Sequence, residues 1–362
     1  MSGCLKDDSH SLKEEGREII DLLLSGEYQT VFEQWFDQKL QKSLPIETLK
    51  ETWENQVEMS GEFIEVSSLE ASERGEKYDV IEATLEYTNV IFDVRMIFNE
   101  LQRLVGFHLS EGISNASLPD SLVEEGVIVG EGTPFELNGT LTLPKQNNGN
   151  LPAVVLVHGS GPSDQDETVY AYKPFRDLAW GLAQQGIAVI RYDKRTYAYG
   201  AKMAHEENNI TVHEETVEDA IRATQLLKGD DRIDENNVYI LGHSLGGMLA
   251  PRIDAEGGDF AGIIIFAGSP RPLWDIVYDQ NINLLESGAM DESLKKEREE
   301  LVEAEYEKAQ QLQDMTDEEA KEETVFGING YYLKEMDQFD MESILPQLEK
   351  PLLIMQGEDD FQ

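Results

Sequence analysis

The chain has 362 residues, of which 40% are hydrophobic, and it carries 72 acidic against 29 basic residues for a formal net charge of −43 at pH 7. This length allows roughly two domains, and the hydrophobic content suffices for substantial cores. The strongly negative field repels phosphate groups, so neither nucleic acid nor a bare anionic membrane is expected as a partner.

The single cysteine, Cys4, follows the small residues Ser2 and Gly3 near the amino terminus. One cysteine forms no intrachain disulfide and provides no cysteine-based metal site. The sequence resembles the end of a bacterial lipoprotein signal, in which small residues precede a lipidated cysteine, although the apolar segment that should come first is missing. We expect either an extracytoplasmic protein attached to the membrane through a lipid on Cys4, or an ordinary frayed terminus in a protein whose cytoplasmic location stays open. No apolar run approaches the about 18 residues that span a bilayer.

Residues 1–115 are predicted to form an α+β accessory domain with two helices and a curled antiparallel sheet. Its helical stripes and alternating strand patterns are Ile19–Leu24, Val31–Leu40, Ile81–Tyr87, Val90–Phe98 and Val105–Leu109. Such a half-open sheet could hold a ligand or dock on its neighbour. Because no catalytic groups converge there, we favour the docking or accessory role.

Residues 116–362 are predicted to form a second domain after a polar linker around Ser110–Asp120. Two antiparallel strands come first, at Val127–Val129 and Phe135–Leu143. Apolar strands then alternate with helical patterns, and these strands are Ala153–Val157, Ile187–Arg191, Val238–Leu241, Gly262–Phe266 and Leu352–Met355. This alternation is typical of βαβ units on a mostly parallel sheet flanked by helices. The intervening residues at about 270–345 are predicted to form a helical cap.

A glycine-rich loop, His158-Gly159-Ser160-Gly161-Pro162, follows the strand Ala153–Val157 directly. Glycines allow backbone N–H groups to approach a substrate closely. Acyl transfer needs such donors, aimed at the negative charge that develops on the substrate oxygen. We therefore predict that the Ser160 N–H is one of two oxyanion-hole donors; the alternative is a plain turn between a strand and a helix.

A second motif, Gly242-His243-Ser244-Leu245-Gly246, stands between the strand Val238–Leu241 and an apolar helical stretch. This is the setting of a G-x-S-x-G nucleophile elbow, in which a sharp turn lifts the serine hydroxyl above the sheet. Ser244 is the predicted nucleophile, and the N–H of Leu245, the next residue, is the predicted second oxyanion donor. The alternative is a glycine-rich helix start with a surface serine.

Together with the loop Arg191-Tyr192-Asp193-Lys194-Arg195, these two motifs occur in the order found in α/β-hydrolases, and residues of about 120–362 resemble that family. The combination with an amino-terminal α+β domain further resembles secreted hydrolases of Gram-positive bacteria, described as esterases or peptidase-like acyl hydrolases. One segment departs from the resemblance. Relatives commonly continue the Asp-x-Arg sequence with Gly-x-Gly-x-Ser, whereas Thr196-Tyr197-Ala198-Tyr199-Gly200 stands here. Since this loop shapes the rim of the substrate pocket in the family, the substrate specificity of relatives cannot be transferred to this chain there.

The resemblance implies a triad acid in Gly357-Glu358-Asp359-Asp360, after the last strand; its pattern selects Asp360, with Asp359 or two merely solvated acids as alternatives. The triad histidine should come still later in the chain. The chain has six histidines, and all of them precede the predicted acid: His10, His108, His158, His205, His213 and His243. None of them therefore has the expected position of the triad histidine. We therefore expect that the hydrolase domain is truncated at its carboxyl end and that the histidine lies beyond residue 362. Without it the serine should keep little activity.

The predicted function is that of a serine hydrolase that cleaves carboxylic esters of small molecules through an acyl-enzyme on Ser244, without a metal or organic cofactor. Two alternatives stay open. One is a serine peptidase of the prolyl-oligopeptidase type, although the propeller usual in that group is absent. The other is a catalytically dead hydrolase-fold protein that binds a ligand.

Overall fold

The computed structural model describes residues 5–73, 78–110, 112–147, 149–203, 209–287, 292–358 and 360. Cys4, His205 and Asp359 lie outside these residues. The chain divides into two compact units, one of Met1–Ser117 with Val169–Tyr172 and one of Leu118–Thr168 with Lys173–Gln362. This division lies two residues beyond the predicted boundary at 115, and it adds a short segment from the middle of the chain to the first unit.

The first unit combines helices with an antiparallel sheet. Its helices are α1 (Leu5–Leu24), α2 (Tyr28–Gln34), α3 (Gln38–Ser43) and α4 (Ile46–Ser60). Its strands are β1 (Phe63–Glu73), β2 (Tyr78–Tyr87), β3 (Val90–Asn99), β4 (Leu104–Leu109) and β5 (Ile113–Ser114). The sheet runs in the order β1-β2-β3-β4, with β5 paired to β3.

The strand β2 shows why this sheet forms. Ile81, Ala83, Leu85 and Tyr87 alternate with polar residues and are fully buried, as expected for a strand with one face on a core. The prediction of two helices was wrong, since the described part of this unit has four. The sequence signal of α4 is weak because only Leu49, Trp53 and Ser60 of its fifteen residues are buried, and the missed strand β1 is an edge strand.

The second unit is built on a seven-stranded sheet in the order β14-β11-β10-β8-β9-β7-β6. The strands are β6 (Leu122–Val129), β7 (Leu137–Pro144), β8 (Leu151–Val157), β9 (Ala188–Tyr192), β10 (Ile233–His243), β11 (Gly262–Phe266) and β14 (Leu352–Met355). The five strands β14, β11, β10, β8 and β9 pair in parallel with one another. The strand β7 is antiparallel to both of its neighbours, β9 and β6. The carboxyl ends of the parallel strands therefore meet at one edge, where sites of such sheets form.

Helices pack beside this sheet and fill the segment between β11 and β14. They are α5 (Pro174–Gln184), α6 (Arg195–Met203), α7 (Glu218–Lys228), α8 (Leu245–Ile253), α9 (Leu273–Ser287), α10 (Glu292–Gln311), α11 (Asp317–Glu322), α12 (Gly330–Met336) and α13 (Met341–Ile344). A small hairpin of β12 (Thr324–Val325) and β13 (Ile328–Asn329) precedes α12. The predicted architecture, a mostly parallel sheet flanked by helices after a small α+β domain, is confirmed. No helix in the described ranges has the length and apolar character to cross a membrane.

Candidate active site

Ser244 lies at the sharp turn between β10 and α8. Its backbone has φ 49° and ψ −114°, a left-handed conformation that is costly for a residue with a side chain. Two hydrogen bonds hold the turn: the Ser244 N–H donates to Phe266 O at 2.9 Å, and the Met248 N–H donates to Ser244 O at 3.0 Å. This strained geometry is that of a nucleophile elbow.

The two outer glycines of the motif are required because the backbone packs too closely for any side chain. A Cβ on Gly242 would lie 2.1 Å from Gly246 O, and a Cβ on Gly246 would lie 2.3 Å from Val157 O. The second contact places the start of α8 directly against the end of β8. Ser244 is thereby brought beside the loop that follows β8, where a Cβ on Gly159 would lie only 3.3 Å from Ser244 Cβ.

The two predicted oxyanion donors border one cavity of about 490 Å³, whose walls include Ser160, Gly161, Pro162 and Leu245. Leu245 is the first residue of α8, so its N–H has no acceptor within the helix and lies at the positive end of the helix dipole. Residues of the elbow and of the glycine-rich loop thus line the same cavity.

The remaining walls of this cavity come from α6, from the segment before α7 and from the segment between β11 and β14. The residues are Thr196, Gly200, Met203, Ile210, Glu215, Leu273, Gly327, Ile328, Asn329 and Tyr332. An apolar surface with a few polar groups is typical of small-molecule sites. Thr196 and Gly200 belong to the segment that departs from the hydrolase pattern, so this departure bears directly on the cavity.

His158 has a structural role in the glycine-rich loop. Its side chain is buried between Phe175 and Tyr192, with ring centroids 5.0 and 5.7 Å away. Its Nε2–H donates to Asp164 O at 3.0 Å. Burial lowers the pKa of His158 to about 4, so the ring is neutral at pH 7 and holds the loop closed as a hydrogen-bond donor.

Glu167 joins the two motifs, and the sequence reasoning missed it. One carboxylate oxygen, Oε1, accepts from the Gly159 N–H at 2.9 Å and lies 2.9 Å from His243 Nδ1. The hydrogen bond to Glu167 raises the pKa of His243, and the charge of Asp360 adds to the effect. Glu167 itself has φ 53°, a further strained residue at the site. The only available signal was its place in an acidic segment that follows the glycine-rich loop.

Asp360 lies in the turn after β14, where its N–H is bonded to Gly357 O at 3.3 Å. Its charge is one of the causes that raise the pKa of His243, the residue that precedes Ser244. Parallel pairing of β14 with β11 and of β11 with β10 brings this turn to the sheet edge that carries the elbow.

The loop after β9 places buried cations behind the site. Lys194 Nζ donates to Gly159 O at 2.8 Å and pairs with Glu215 Oε1 at 2.9 Å. The adjacent Arg195 is paired with Asp219 through Nε at 2.8 Å, and both side chains are almost fully buried. This loop is one of the segments that resemble the α/β-hydrolase family, but the resemblance did not predict these contacts. Over the described part of the chain, no group of three or more His, Cys, Asp or Glu residues is arranged to hold a metal ion.

Comparisons with known proteins agree with this geometry. A family model described as "Alpha/beta hydrolase family" matches residues 154–361, and one described as "Protein of unknown function (DUF3887)" matches residues 16–107. Esterase EstD of Thermotoga maritima is 31% identical over 326 residues, which make up 90% of this chain and 74% of that protein.

Solved structures give weaker likenesses. Bacterial Heroin Esterase is 18% identical over 46% of this chain and 50% of its own, with a TM-score of 0.36. Prolyl oligopeptidase B from Galerina marginata is 17% identical over 58% of this chain and 29% of its own, with a TM-score of 0.37. The assignment rests on the sequence matches, which cover more than half of the chain and most of the length of EstD. By these matches, the chain belongs to the α/β-hydrolase family.

Proposed function

We propose that this protein is a serine hydrolase that cleaves carboxylic esters through an acyl-enzyme on Ser244. The observation that carries the proposal is the strained turn at Ser244, held beside a glycine-rich loop. The next residue, Leu245, lines a cavity of about 490 Å³ together with Ser160 of that loop. The likeness to a relative named as an esterase supports esters as the substrate class.

In this mechanism Ser244 Oγ attacks the ester carbonyl carbon while an imidazole accepts the hydroxyl proton. The carbonyl oxygen becomes an oxyanion and accepts hydrogen bonds from the N–H groups of Ser160 and Leu245. Collapse of this intermediate breaks the bond to the alcohol, which leaves with the proton. Water then hydrolyses the acyl-enzyme by the same steps. Asp360 is the residue proposed to orient the imidazole, and no metal or organic cofactor is required.

The imidazole base is proposed to come from outside the described residues. In the second unit, His158 is neutral and bound to Asp164 O, and His213 Nδ1 lies 2.9 Å from Glu256. His243 Nδ1 lies 2.9 Å from Glu167 Oε1, and this hydrogen bond raises the pKa of the ring. Each of these rings makes a hydrogen bond to a residue other than Ser244.

The test is covalent labelling together with ester hydrolysis by the natural full-length protein. A fluorophosphonate should modify Ser244, and Ser244→Ala should abolish both labelling and hydrolysis of p-nitrophenyl butyrate. Ser25→Ala is the matched control, because the hydroxyl of that serine donates to Leu22 O within its own helix end in the first unit. Labelling with cleavage of chromogenic peptides in place of esters would favour the peptidase alternative. A full-length protein without labelling would favour the binding protein.

A further inference from the structure

We propose that Lys194 is a positioning residue of the oxyanion hole, because it fixes and polarises the peptide group that carries the Ser160 N–H. This inference rests on the proposed function, since it assigns a role within the same reaction. Lys194 lies on the loop after β9 and approaches the glycine-rich loop from a distance of 35 residues in the chain.

The argument starts from the geometry of a single peptide group. Lys194 Nζ donates to Gly159 O at 2.8 Å. Gly159 O and the Ser160 N–H belong to the same planar trans peptide, so they point in opposite directions. A cation that fixes the carbonyl therefore also fixes the direction of the N–H that is predicted to meet the oxyanion.

The same contact strengthens the Ser160 N–H as a donor. A positive charge at the carbonyl oxygen draws electron density from the peptide nitrogen, and hydrogen bonds polarise one another in this way. Because Lys194 is only 2% exposed, water screens its charge little. The donor is thus prepared before the substrate arrives, which is the property that makes an oxyanion hole effective.

Glu215 makes this buried cation tolerable and links it to the cap. Its Oε1 pairs with Lys194 at 2.9 Å, and its Oε2 accepts from the Tyr332 hydroxyl at 2.5 Å. Burial raises the pKa of Tyr332 well above its usual value, so the hydroxyl remains a donor. A continuous chain of hydrogen bonds therefore runs from α12, through Glu215 and Lys194, to Gly159 O.

The backbone N–H of Gly159 is also held by a charged side chain. Its N–H donates to Glu167 at 2.9 Å, while its carbonyl accepts from Lys194. With one carboxylate and one ammonium bound to consecutive peptide groups, the glycine-rich loop has little freedom to rotate. We assign the ammonium to the oxyanion peptide itself and the carboxylate to the peptide before it.

The test is Lys194→Met in the natural full-length protein, with p-nitrophenyl butyrate as substrate. The oxyanion exists only in the transition state and the tetrahedral intermediate, so kcat should fall about 10- to 100-fold while KM stays within about threefold. A trifluoromethyl ketone that forms a tetrahedral adduct with the serine should lose affinity by a comparable factor. If Lys194 had only a structural role, its replacement would lower the melting temperature but would not lower kcat selectively at constant KM.

Two further variants guard against a folding defect. The Lys194→Met/Glu215→Gln double variant removes both charges, so no buried carboxylate is left without its cation. Lys228→Met is the control: its ammonium also binds backbone carbonyls, Gly258 O and Asp259 O, but at the carboxyl end of α7. Because a crossover helix runs antiparallel to its strands, that end lies away from the site. We expect the control to keep the kcat of the unmodified protein.

The outcomes separate the two proposals. A folded double variant with unchanged kcat and unchanged affinity for the ketone would overturn the role of Lys194. Full hydrolysis by Ser244→Ala would instead overturn the proposed function, whatever Lys194→Met does. A lowered kcat at constant KM, with Ser244 required, supports both.

Discussion

Replacing Gly246 by alanine should damage both stability and activity, and the structure gives the magnitude. The new Cβ would lie 2.3 Å from Val157 O and 2.7 Å from His158 O. Carbon and oxygen atoms approach to about 3.3–3.6 Å even in favourable contacts. Both oxygens are backbone atoms and cannot rotate away, so the start of α8 must move by about 1 Å from the end of β8.

This displacement has two consequences. Overpacking of a close-fitting interior costs about 1–3 kcal/mol of folding free energy. Because the Leu245 N–H and Ser244 move with the start of α8 relative to the glycine-rich loop, a 1 Å error also costs about 100-fold in kcat. Gly246→Ala should therefore lower the free energy of unfolding of the second unit and nearly abolish ester hydrolysis.

Gly181→Ala provides a matched control with the same chemical change. Gly181 lies inside α5, and a Cβ there would meet no atom within 4 Å. Alanine is the better helix former, so this variant should gain about 1 kcal/mol of stability and keep its activity. The measurements are urea denaturation and hydrolysis of p-nitrophenyl butyrate. If Gly246→Ala matched the unmodified protein in both, the close packing of α8 against β8 would be refuted.

Three further predictions concern charges. Because the folded pKa of His243 is raised by Glu167, the stability that this bond contributes should be complete below pH 6.5 and lost as pH rises through the folded pKa. Urea denaturation of Glu167→Gln should therefore differ from the unmodified protein more at pH 6 than at pH 9, and an equal difference would contradict this. Arg195→Met leaves Asp219, only 1% exposed, without its main partner and should cost about 3–5 kcal/mol. Arg17→Met, in an exposed pair, should cost at most about 1 kcal/mol by the same denaturation assay, and comparable losses in both would be inconsistent with a buried ion pair. Finally, screening of the net charge of −43 should raise the melting temperature between about 0.05 and 1 M NaCl; a fall would show that attractive pairs outweigh repulsion.

Local patterns were sufficient wherever an element carries a continuous apolar run. The strands Gly262–Phe266 and Leu352–Met355 have the bounds that the sequence predicted, although the four side chains of Leu352–Met355 are exposed at the edge of the sheet. The turn at Ser244 is equally local, because the glycines that permit it lie within two residues of the serine. Elements with few buried residues were missed: α4 carries only sparse apolar positions, and β1 is an edge strand whose pattern is mostly polar.

By itself, the sequence determined the fold class, the place of the elbow and the loop after β8, because each depends on residues that are close together in the chain. The tertiary structure alone decided the partners of the polar side chains. Glu167 reaches His243 across 76 residues, and Glu215 reaches Tyr332 across 117. In a chain with 72 acidic residues, no local pattern separates these carboxylates from those that merely face water. Their roles follow from the strand order, which brings distant loops to one edge of the sheet, where burial makes each charge depend on a specific partner.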